Sequence, residues 1–288
     1  MTQTANLEGQ VVIVTGAGKG IGRAASLHLA ACGARVLVNN RRHTGETDAQ
    51  TSAAQVMAQI RAAGGQAVAN FDEAQDPTSG ARMVAQALAA WGRLDMVYAN
   101  AALPQDSAFH KQGLDELRAI IDVGLIGTLS LLHAAWPVFR EQGYGRALAS
   151  TSSAGRFGGP GMTAYAASKG AIESLVRSLA AEGARSGIRC NALSPYALSQ
   201  MTEDYLPAEW ANALAPETLG PLVAWLLGTA CELNGEVVVA GGGRYARTWP
   251  VETRAVQGDD LRRVWAELIT LEGHPHTTAV RAFQAFMA

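Results

Sequence analysis

The chain has 288 residues, of which 48% are hydrophobic, and a formal net charge of −2. This small charge, with scattered Arg and Lys residues, argues against nucleic acid or an acidic membrane surface as a partner. Cys32, Cys190 and Cys231 lack metal-ligand spacing, so we expect no metal site and a reducing compartment. There is no signal-peptide pattern and no apolar run of the ~20 residues that a membrane helix needs, so we expect a cytoplasmic protein.

In chain order, short apolar runs alternate with helical patterns. The predicted strands span 11–15, 35–39, 66–71, 94–99, 146–151, 188–193 and 236–239. The predicted helices span 20–32, 52–63, 114–141, 163–185 and 216–228, and a further one begins at Asp76. This alternation predicts an α/β fold of the Rossmann type, a doubly wound, seven-stranded parallel sheet with helices on both faces. Ligands of such sheets bind beyond the carboxyl ends of the strands.

A glycine-rich turn follows the first predicted strand and opens the first predicted helix. Such a turn lets a pyrophosphate approach the backbone, and the helix N-terminus favours its negative charge. A turn of this kind can also exist without binding a ligand, but the following strand completes a β-α-β unit and favours a dinucleotide site. The residues that we predict to contact the nucleotide here are Gly16, Gly18, Lys19, Gly20 and Ile21.

Tyr165 and Lys169 lie four residues apart on a predicted helix, so they share one face. An ammonium group near a phenol favours the phenolate, whereas a free tyrosine titrates near pH ~10. Ser152 lies upstream, where a buried strand runs into a loop, and can hold a substrate oxygen while Tyr165 exchanges its proton. The alternative is an ordinary surface Tyr and Lys, since this spacing is common by chance.

Together these motifs resemble the short-chain dehydrogenase/reductase family over about residues 7–243. The resemblance implies that Ser152, Tyr165 and Lys169 are catalytic and that Tyr165 and Lys169 also contact the nucleotide. It implies hydride transfer between a nicotinamide and a carbonyl carbon, with Lys169 binding the ribose hydroxyls. It further implies a catalytic domain over residues 1–243 and a C-terminal extension over 244–288. The other positions that the family uses for the nucleotide are Asp72, Asn100, Ala101 and Pro195.

Within that family the chain is similar to the (3R)-hydroxyacyl-CoA dehydrogenase unit of the type 2 multifunctional β-oxidation enzymes. The segments that carry this likeness are 64–72, 144–146, 199–202, 221–226 and 274–275. Two positions depart from the family pattern, since Ala102 replaces a usual Gly and Gly124 replaces a usual Asn. That Asn is part of a proton relay in the family, so the resemblance implies slower proton exchange or a different water arrangement here.

The cofactor preference depends on the end of the second predicted strand. Asn40 stands where NAD-binding relatives carry an Asp that binds the ribose 2′-OH. Arg41 and Arg42 follow, and a guanidinium pairs well with a phosphate. We therefore predict that Asn40 and Arg41 contact the nucleotide and that NADP(H) is favoured over NAD(H). The alternative is that both arginines are simply solvated.

The substrate is predicted to be a small-molecule carbonyl or alcohol that is bulky or hydrophobic, because apolar and aromatic residues surround the motifs. It would suit a ketone reductase or a 3-hydroxyacyl dehydrogenase. The predicted pocket residues are Ala154, Phe157, Tyr196, Met201 and Tyr205, and the wall also includes Arg156, Pro160 and Met162.

The C-terminal residues show two amphipathic helical patterns, one capped by Asp260 and one preceded by Thr278. They could pack on the same domain or on a partner. Since family members pair through their long helices, the resemblance implies a homodimer or homotetramer. The alternative to an enzyme is a catalytically weak nucleotide-sensing or scaffold protein, which Ala102 and Gly124 would favour and the intact Tyr165 and Lys169 oppose.

Overall fold

A computed structural model of the chain describes residues 5–198 and 208–287. The chain divides into two compact units, Met1–Ala246 and Arg247–Ala288. Met201 and Tyr205, two of the predicted pocket residues, lie outside the described residues.

The seven predicted parallel strands are confirmed, and the sheet contains an eighth strand that was not predicted. Its spatial order is β3-β2-β1-β4-β5-β6-β7-β8, and six consecutive pairings from β3 to β7 are parallel. The bounds are β1 (Val11–Val14), β2 (Arg35–Asn39), β3 (Gln66–Asn70), β4 (Met96–Ala99), β5 (Gly145–Ser150), β6 (Ile188–Pro195), β7 (Val237–Gly241) and β8 (Arg244–Thr248).

β8 was not predicted because its side chains are almost all exposed, and an exposed edge strand needs no apolar pattern. Gly242 and Gly243, with φ of 58° and 71°, form its two-residue connection to β7. A connection this short joins antiparallel strands, and two positive φ values suit the tight turn of a hairpin. The C-terminal extension therefore begins with a strand of the sheet.

Ten α-helices occupy the described residues, together with short 3₁₀ turns. Alternate residues of each strand point to opposite faces of the sheet. Val12 and Val14 accordingly contribute to one hydrophobic core, and Val11 and Ile13 contribute to the other. The bounds are α1 (Gly20–Ala31), α2 (Ser52–Ala62), α3 (Ser79–Trp91), α4 (Leu114–Ile121), α5 (Gly127–Gln142), α6 (Ala154–Phe157), α7 (Thr163–Gly183), α8 (Gly220–Leu227), α9 (Leu261–Leu268) and α10 (Ala279–Met287).

The predicted single helix over 114–141 is interrupted by a π-helical turn at Asp122–Ile126. The sequence pattern stays apolar through this turn, so the interruption could not be seen from periodicity. By length and composition, Leu114–Gln142 could cross a membrane, which corrects the expectation that no such segment exists. A core helix meets the same test, and Leu131 and Phe139 of this segment are fully buried in the core.

The unit Arg247–Ala288 contains α9 and α10, as predicted. Asp260 caps α9 by accepting hydrogen bonds from the backbone N–H groups of Arg262 (3.0 Å) and Arg263 (3.4 Å). Thr278 accepts one from the N–H of Arg281 at the start of α10 (3.2 Å). Neither helix buries a residue, so the apolar side of each is exposed.

Candidate active site

The glycine-rich turn connects β1 to α1 and is shaped by contacts within the protein. Gly16 and Gly20 have φ of 62° and 50°, which glycine adopts without strain. A Cβ at Gly22 would lie 2.2 Å from the carbonyl oxygen of Gly16, and one at Gly18 would lie 2.1 Å from Ser52 Oγ. The turn can therefore fold closely onto α1 and α2 only because these positions are glycine.

A cavity of about 370 Å³ lies beside this turn at the carboxyl ends of the strands. Its volume is in the range of small-molecule sites, and the helix N-terminus at its wall suits a phosphate. The predicted nucleotide residues that line it are Gly16, Lys19, Gly20, Ile21, Asn40, Arg41, Asp72, Asn100 and Ala101. Gly18, Tyr165, Lys169 and Pro195 do not line it. Residues of the wall that the sequence analysis did not select include Asn39, His43, Gln75, Leu103 and Val123.

A chain of hydrogen bonds joins the ends of three strands beneath the cavity. The hydroxyls of Tyr98 and Ser150 lie 2.9 Å apart, and Ser150 Oγ donates to Asn100 Oδ1 at 3.1 Å. The Asn100 side-chain nitrogen donates to the carbonyl oxygens of Thr15 and Gly16, at 3.2 and 3.3 Å. Asn100 thereby holds β4 against the glycine-rich turn.

The structure brings Ser152, Tyr165 and Lys169 together. Ser152 lies just after β5, and its hydroxyl is near enough to Tyr165 to lower the pKa of that phenol. Lys169 Nζ lies 5.7 Å from the centroid of the Tyr165 ring and donates to the carbonyl oxygen of Ser150 at 2.7 Å. The Lys169 residue is 2% exposed, and burial lowers its pKa to about 8.

The protonation state of Tyr165 corrects an expectation. The sequence predicted that the Lys169 ammonium favours the phenolate. Burial instead raises the pKa of Tyr165, and the nearby Ser152 hydroxyl lowers it by less. Tyr165 is therefore a neutral phenol at neutral pH, ready to donate a proton.

Gly124, at the family's Asn position, lies in the π-helical turn and faces α7. Its carbonyl oxygen accepts a hydrogen bond from Thr128 Oγ1 at 2.8 Å. A Cβ at Gly124 would lie 2.5 Å from Ser168 Oγ, a buried hydroxyl without a hydrogen-bond partner among the described residues. The Ser168 side chain therefore lies close to the space that a side chain at position 124 would need.

The two arginines after β2 have different surroundings. Arg42 forms an ion pair with Asp48 and stacks 5.2 Å from the centroid of the Phe71 ring. Arg41 lines the cavity and forms no ion pair within residues 5–198 and 208–287. Of the two, only Arg41 is available to the cavity.

Asn40 and Asp72 also line the cavity, but both have protein partners. The Asn40 side chain donates to Ser52 Oγ at 3.0 Å. Asp72 pairs with Arg82 at 2.8 Å and accepts from the Asn70 side chain at 2.9 Å.

The predicted pocket residues that are described lie outside the cavity wall. Ala154 is buried in α6, whereas the side chains of Phe157 and Tyr196 are 81% and 47% exposed. One residue at this site that was not predicted is Gln105, whose side-chain oxygen accepts a hydrogen bond from the backbone N–H of Tyr165 at 2.9 Å. No motif marks Gln105, because its role depends on a loop remote in sequence.

The fold and the site define an α/β protein with a nucleotide-type cavity next to a Ser-Tyr-Lys cluster. Residues 10–209 match the family of the short chain dehydrogenases, and the chain belongs to this family. Its members are oxidoreductases that use NAD or NADP and act on small molecules.

The comparisons with individual proteins agree with this assignment. The chain is 40% identical over 277 residues to a short-chain type dehydrogenase/reductase of Mycobacterium tuberculosis, covering 93% of this chain and 96% of that protein. It is 39% identical over 245 residues to the peroxisomal multifunctional enzyme type 2 of Mus musculus, covering 84% of this chain but only 33% of that protein. The crystal structure of a short chain dehydrogenase from Mycobacterium avium has a TM-score of 0.83 at 34% identity, over 94% of this chain and 98% of that chain. The resemblance to the multifunctional enzymes predicted from the sequence is thus confirmed.

Proposed function

We propose that this protein interconverts a ketone and a secondary alcohol by hydride transfer, with Tyr165 as general acid/base. The observation that carries the proposal is that Ser152 and Tyr165 lie together beside the buried Lys169. A turnover assay at 340 nm with a panel of ketones and 3-oxoacyl thioesters tests it. Oxidation of the nucleotide that depends on substrate supports the proposal, and its absence across the panel contradicts it.

The protein residues would bind the substrate oxygen and move one proton. Ser152 would donate a hydrogen bond to the carbonyl oxygen, and Tyr165 would transfer its proton to the same oxygen as negative charge develops there. When bound, the nicotinamide supplies hydride to the carbonyl carbon, or accepts it in the reverse direction. Lys169 would hold the ribose hydroxyls, and a proton from solvent would restore the Tyr165 phenol after each turnover.

The preference for NADP(H) is part of this proposal and rests on Arg41. Arg41→Ala is expected to raise KM for NADPH by about tenfold or more with little change for NADH, because a hydrogen bond to a charged group contributes about 1.5–3 kcal/mol. The measurement is kcat/KM for both nucleotides. Arg42→Ala is the matched control, since Arg42 is engaged by Asp48 and Phe71. A preference for NADH, or an equal loss in both variants, would contradict the assignment of Arg41.

The proposed substrate is a bulky or hydrophobic carbonyl compound, either a 3-oxoacyl thioester or a free ketone. The exposed aromatic side chains of Phe157 and Tyr196, which follow Ser152 and Pro195 in the chain, support an apolar substrate. Because the chain spans a third of the mouse multifunctional enzyme, the thioester substrate is a proposal by similarity alone. We also propose a cytoplasmic location, where the NADP pool favours reduction.

A second candidate is a weakly catalytic nucleotide-binding protein. Gly124 supports it, because the position lacks the side chain through which the family's proton relay is organised. The same 340 nm assay distinguishes the candidates when it is combined with nucleotide titration. Tight binding of NADPH without turnover of any substrate in the panel would favour this second function.

We propose in addition a homodimer or homotetramer. Exposed apolar side chains are numerous in the unit Arg247–Ala288, and apolar patches of this kind mark interfaces. Those more than 40% exposed are Trp249, Val251, Leu261, Trp265, Ile269, Val280, Phe283, Phe286 and Met287. Light scattering is expected to give at least twice the 30.1 kDa mass of the chain at micromolar concentration. A monomeric mass there would refute the proposal.

A further inference from the structure

We infer that Arg156 is a positioning residue, which fixes Ser152 and the end of β6 relative to Tyr165 and Lys169 through a buried ion pair with Glu173. The inference rests on the proposed function, because it assigns Arg156 a consequence for the same reaction. From the sequence, Arg156 is predicted to lie in the wall of the substrate pocket. The structure corrects this, since its guanidinium is buried and bound to protein groups.

The guanidinium of Arg156 joins the three elements that carry the site. Nη1 lies 2.5 Å from Glu173 Oε1 on α7, and Nη2 donates to Ser194 Oγ at the end of β6, at 3.0 Å. Only 12% of the Arg156 side chain and 8% of the Glu173 side chain are exposed. Arg156 belongs to α6, which follows Ser152 directly, and the carbonyl oxygen of Ser152 accepts from the N–H of Gly155 at 3.0 Å.

Glu173 also reaches the other side of Ser152. Its Oε1 lies 3.0 Å from the hydroxyl of Thr151, which can donate there or to the carbonyl oxygen of Lys169 at 2.8 Å. Glu173 lies one helical turn beyond Lys169, on the same face of α7. The Glu173 carboxylate thus contacts both sides of Ser152. It binds Thr151, the residue before Ser152, and it binds Arg156 in α6, the helix after Ser152.

The backbones of α6 and α7 touch at this place. A Cβ at Gly155 would lie 2.6 Å from the backbone nitrogen of Gly170, and one at Gly170 would lie 2.9 Å from the carbonyl oxygen of Gly155. Because neither glycine has a side chain, no side chain interlocks α6 with α7 at this contact. The ion pair is therefore the polar link that fixes α6 on α7, and a displacement of α6 would carry Ser152 with it.

A contribution to stability alone does not explain the pair. Two buried charges lose their hydration, and replacing both by apolar residues is often neutral or stabilising, whereas removing only one leaves an unpaired buried charge. The effect of the ion pair on the stability of the fold can therefore be separated from its effect on the position of Ser152 by comparing single and double variants. An apolar pair at positions 156 and 173 can restore the stability of the fold but cannot restore the bonds to Ser194 and Thr151.

The experiment compares R156M, E173M and the double variant R156M/E173M in the full-length protein, with NADPH and the best substrate of the panel. R156M is expected to lower kcat about 10- to 100-fold, as a small displacement of a catalytic group can, while KM for NADPH stays within about twofold. The double variant is expected to regain the Tm of the wild type but to keep the loss in kcat.

R93M is the matched control. Arg93 pairs with the fully buried carboxylate of Asp95 just before β4, at the end of the sheet opposite to the site. It is expected to lower Tm and leave kcat unchanged. A wild-type kcat in R156M, or a double variant that regains both Tm and kcat, would overturn the inference. If the wild type itself turns over no substrate, the proposed function fails, and the inference fails with it.

Discussion

Tyr165→Phe is expected to lower kcat for ketone reduction by about 10²- to 10⁴-fold, the usual contribution of a positioned proton donor. The phenol is protonated at neutral pH, and burial raises its pKa further above the usual value, so the variant loses a proton that is available for transfer. The ring keeps its place in α7, and the Kd for NADPH should remain near that of the wild type. Steady-state turnover and nucleotide titration together make the measurement.

Tyr245→Phe provides the control for this result, because Tyr245 lies on β8 with its side chain 65% exposed. It should leave both kcat and Kd unchanged. Retention of more than a tenth of the wild-type kcat in Tyr165→Phe would refute general acid catalysis by this residue.

The raised pKa of Tyr165 also sets the pH dependence. Reduction needs the phenol, so kcat should be constant through neutral pH and fall only as pH rises towards the raised pKa. Oxidation needs the phenolate and should increase with pH over the same range. Because the nearby Ser152 hydroxyl lowers the pKa of Tyr165, Ser152→Ala should move the oxidation profile to higher pH as well as slow it. Profiles of kcat against pH in both directions provide the measurement.

Lys169→Met is expected to abolish most of the activity and yet to stabilise the fold. Burial lowers the pKa of Lys169 to about 8 from its usual value of 10.5. The unfolded chain therefore binds more protons than the folded chain between these two values. At neutral pH the variant should have a free energy of unfolding up to about 3 kcal/mol above that of the wild type, since one pKa unit corresponds to ~1.4 kcal/mol.

The sign of this effect gives a further test. The penalty for the buried ammonium is complete below pH 8 and disappears as pH rises to the usual lysine pKa. The difference in unfolding free energy between the variant and the wild type should therefore shrink over that interval. Lys111→Met, at an exposed position, should change stability by less than about 0.5 kcal/mol at any pH. A Lys169→Met variant less stable than the wild type at pH 7 would show that the bond to the Ser150 carbonyl outweighs the burial of the charge.

The Lys169 prediction describes a site that trades stability for chemistry. A buried lysine is costly for the fold, and it lies where parallel strands end beside a nucleotide-sized cavity. Titratable groups with shifted pKa values gather at functional sites for this reason. The proposed NADP(H) preference and the proposed role of Arg156 depend on the same geometry, so the Tyr165→Phe experiment should precede both.

Much of this fold could be predicted because its signals are local. Strands buried on both faces form continuous apolar runs, and the glycine-rich turn follows the first of them directly. The edge strand β8 carries no such run, and the π-helical turn around Gly124 interrupts a segment that stays apolar throughout. Neither the edge strand nor the π-helical turn changes the periodicity of apolar residues in the sequence, so neither could be predicted from that periodicity.

The amino-acid sequence by itself determined the family and the seven parallel strands, and it selected Ser152, Tyr165 and Lys169, which the structure brings together. Tertiary structure alone decided that Tyr165 is a protonated phenol, that Arg41 rather than Arg42 faces the cavity, and that Arg156 is joined to Glu173. The physical reason is that motifs depend on neighbours along the chain. A pKa or an ion pair depends on burial and on partners from other elements, which only the folded chain brings together.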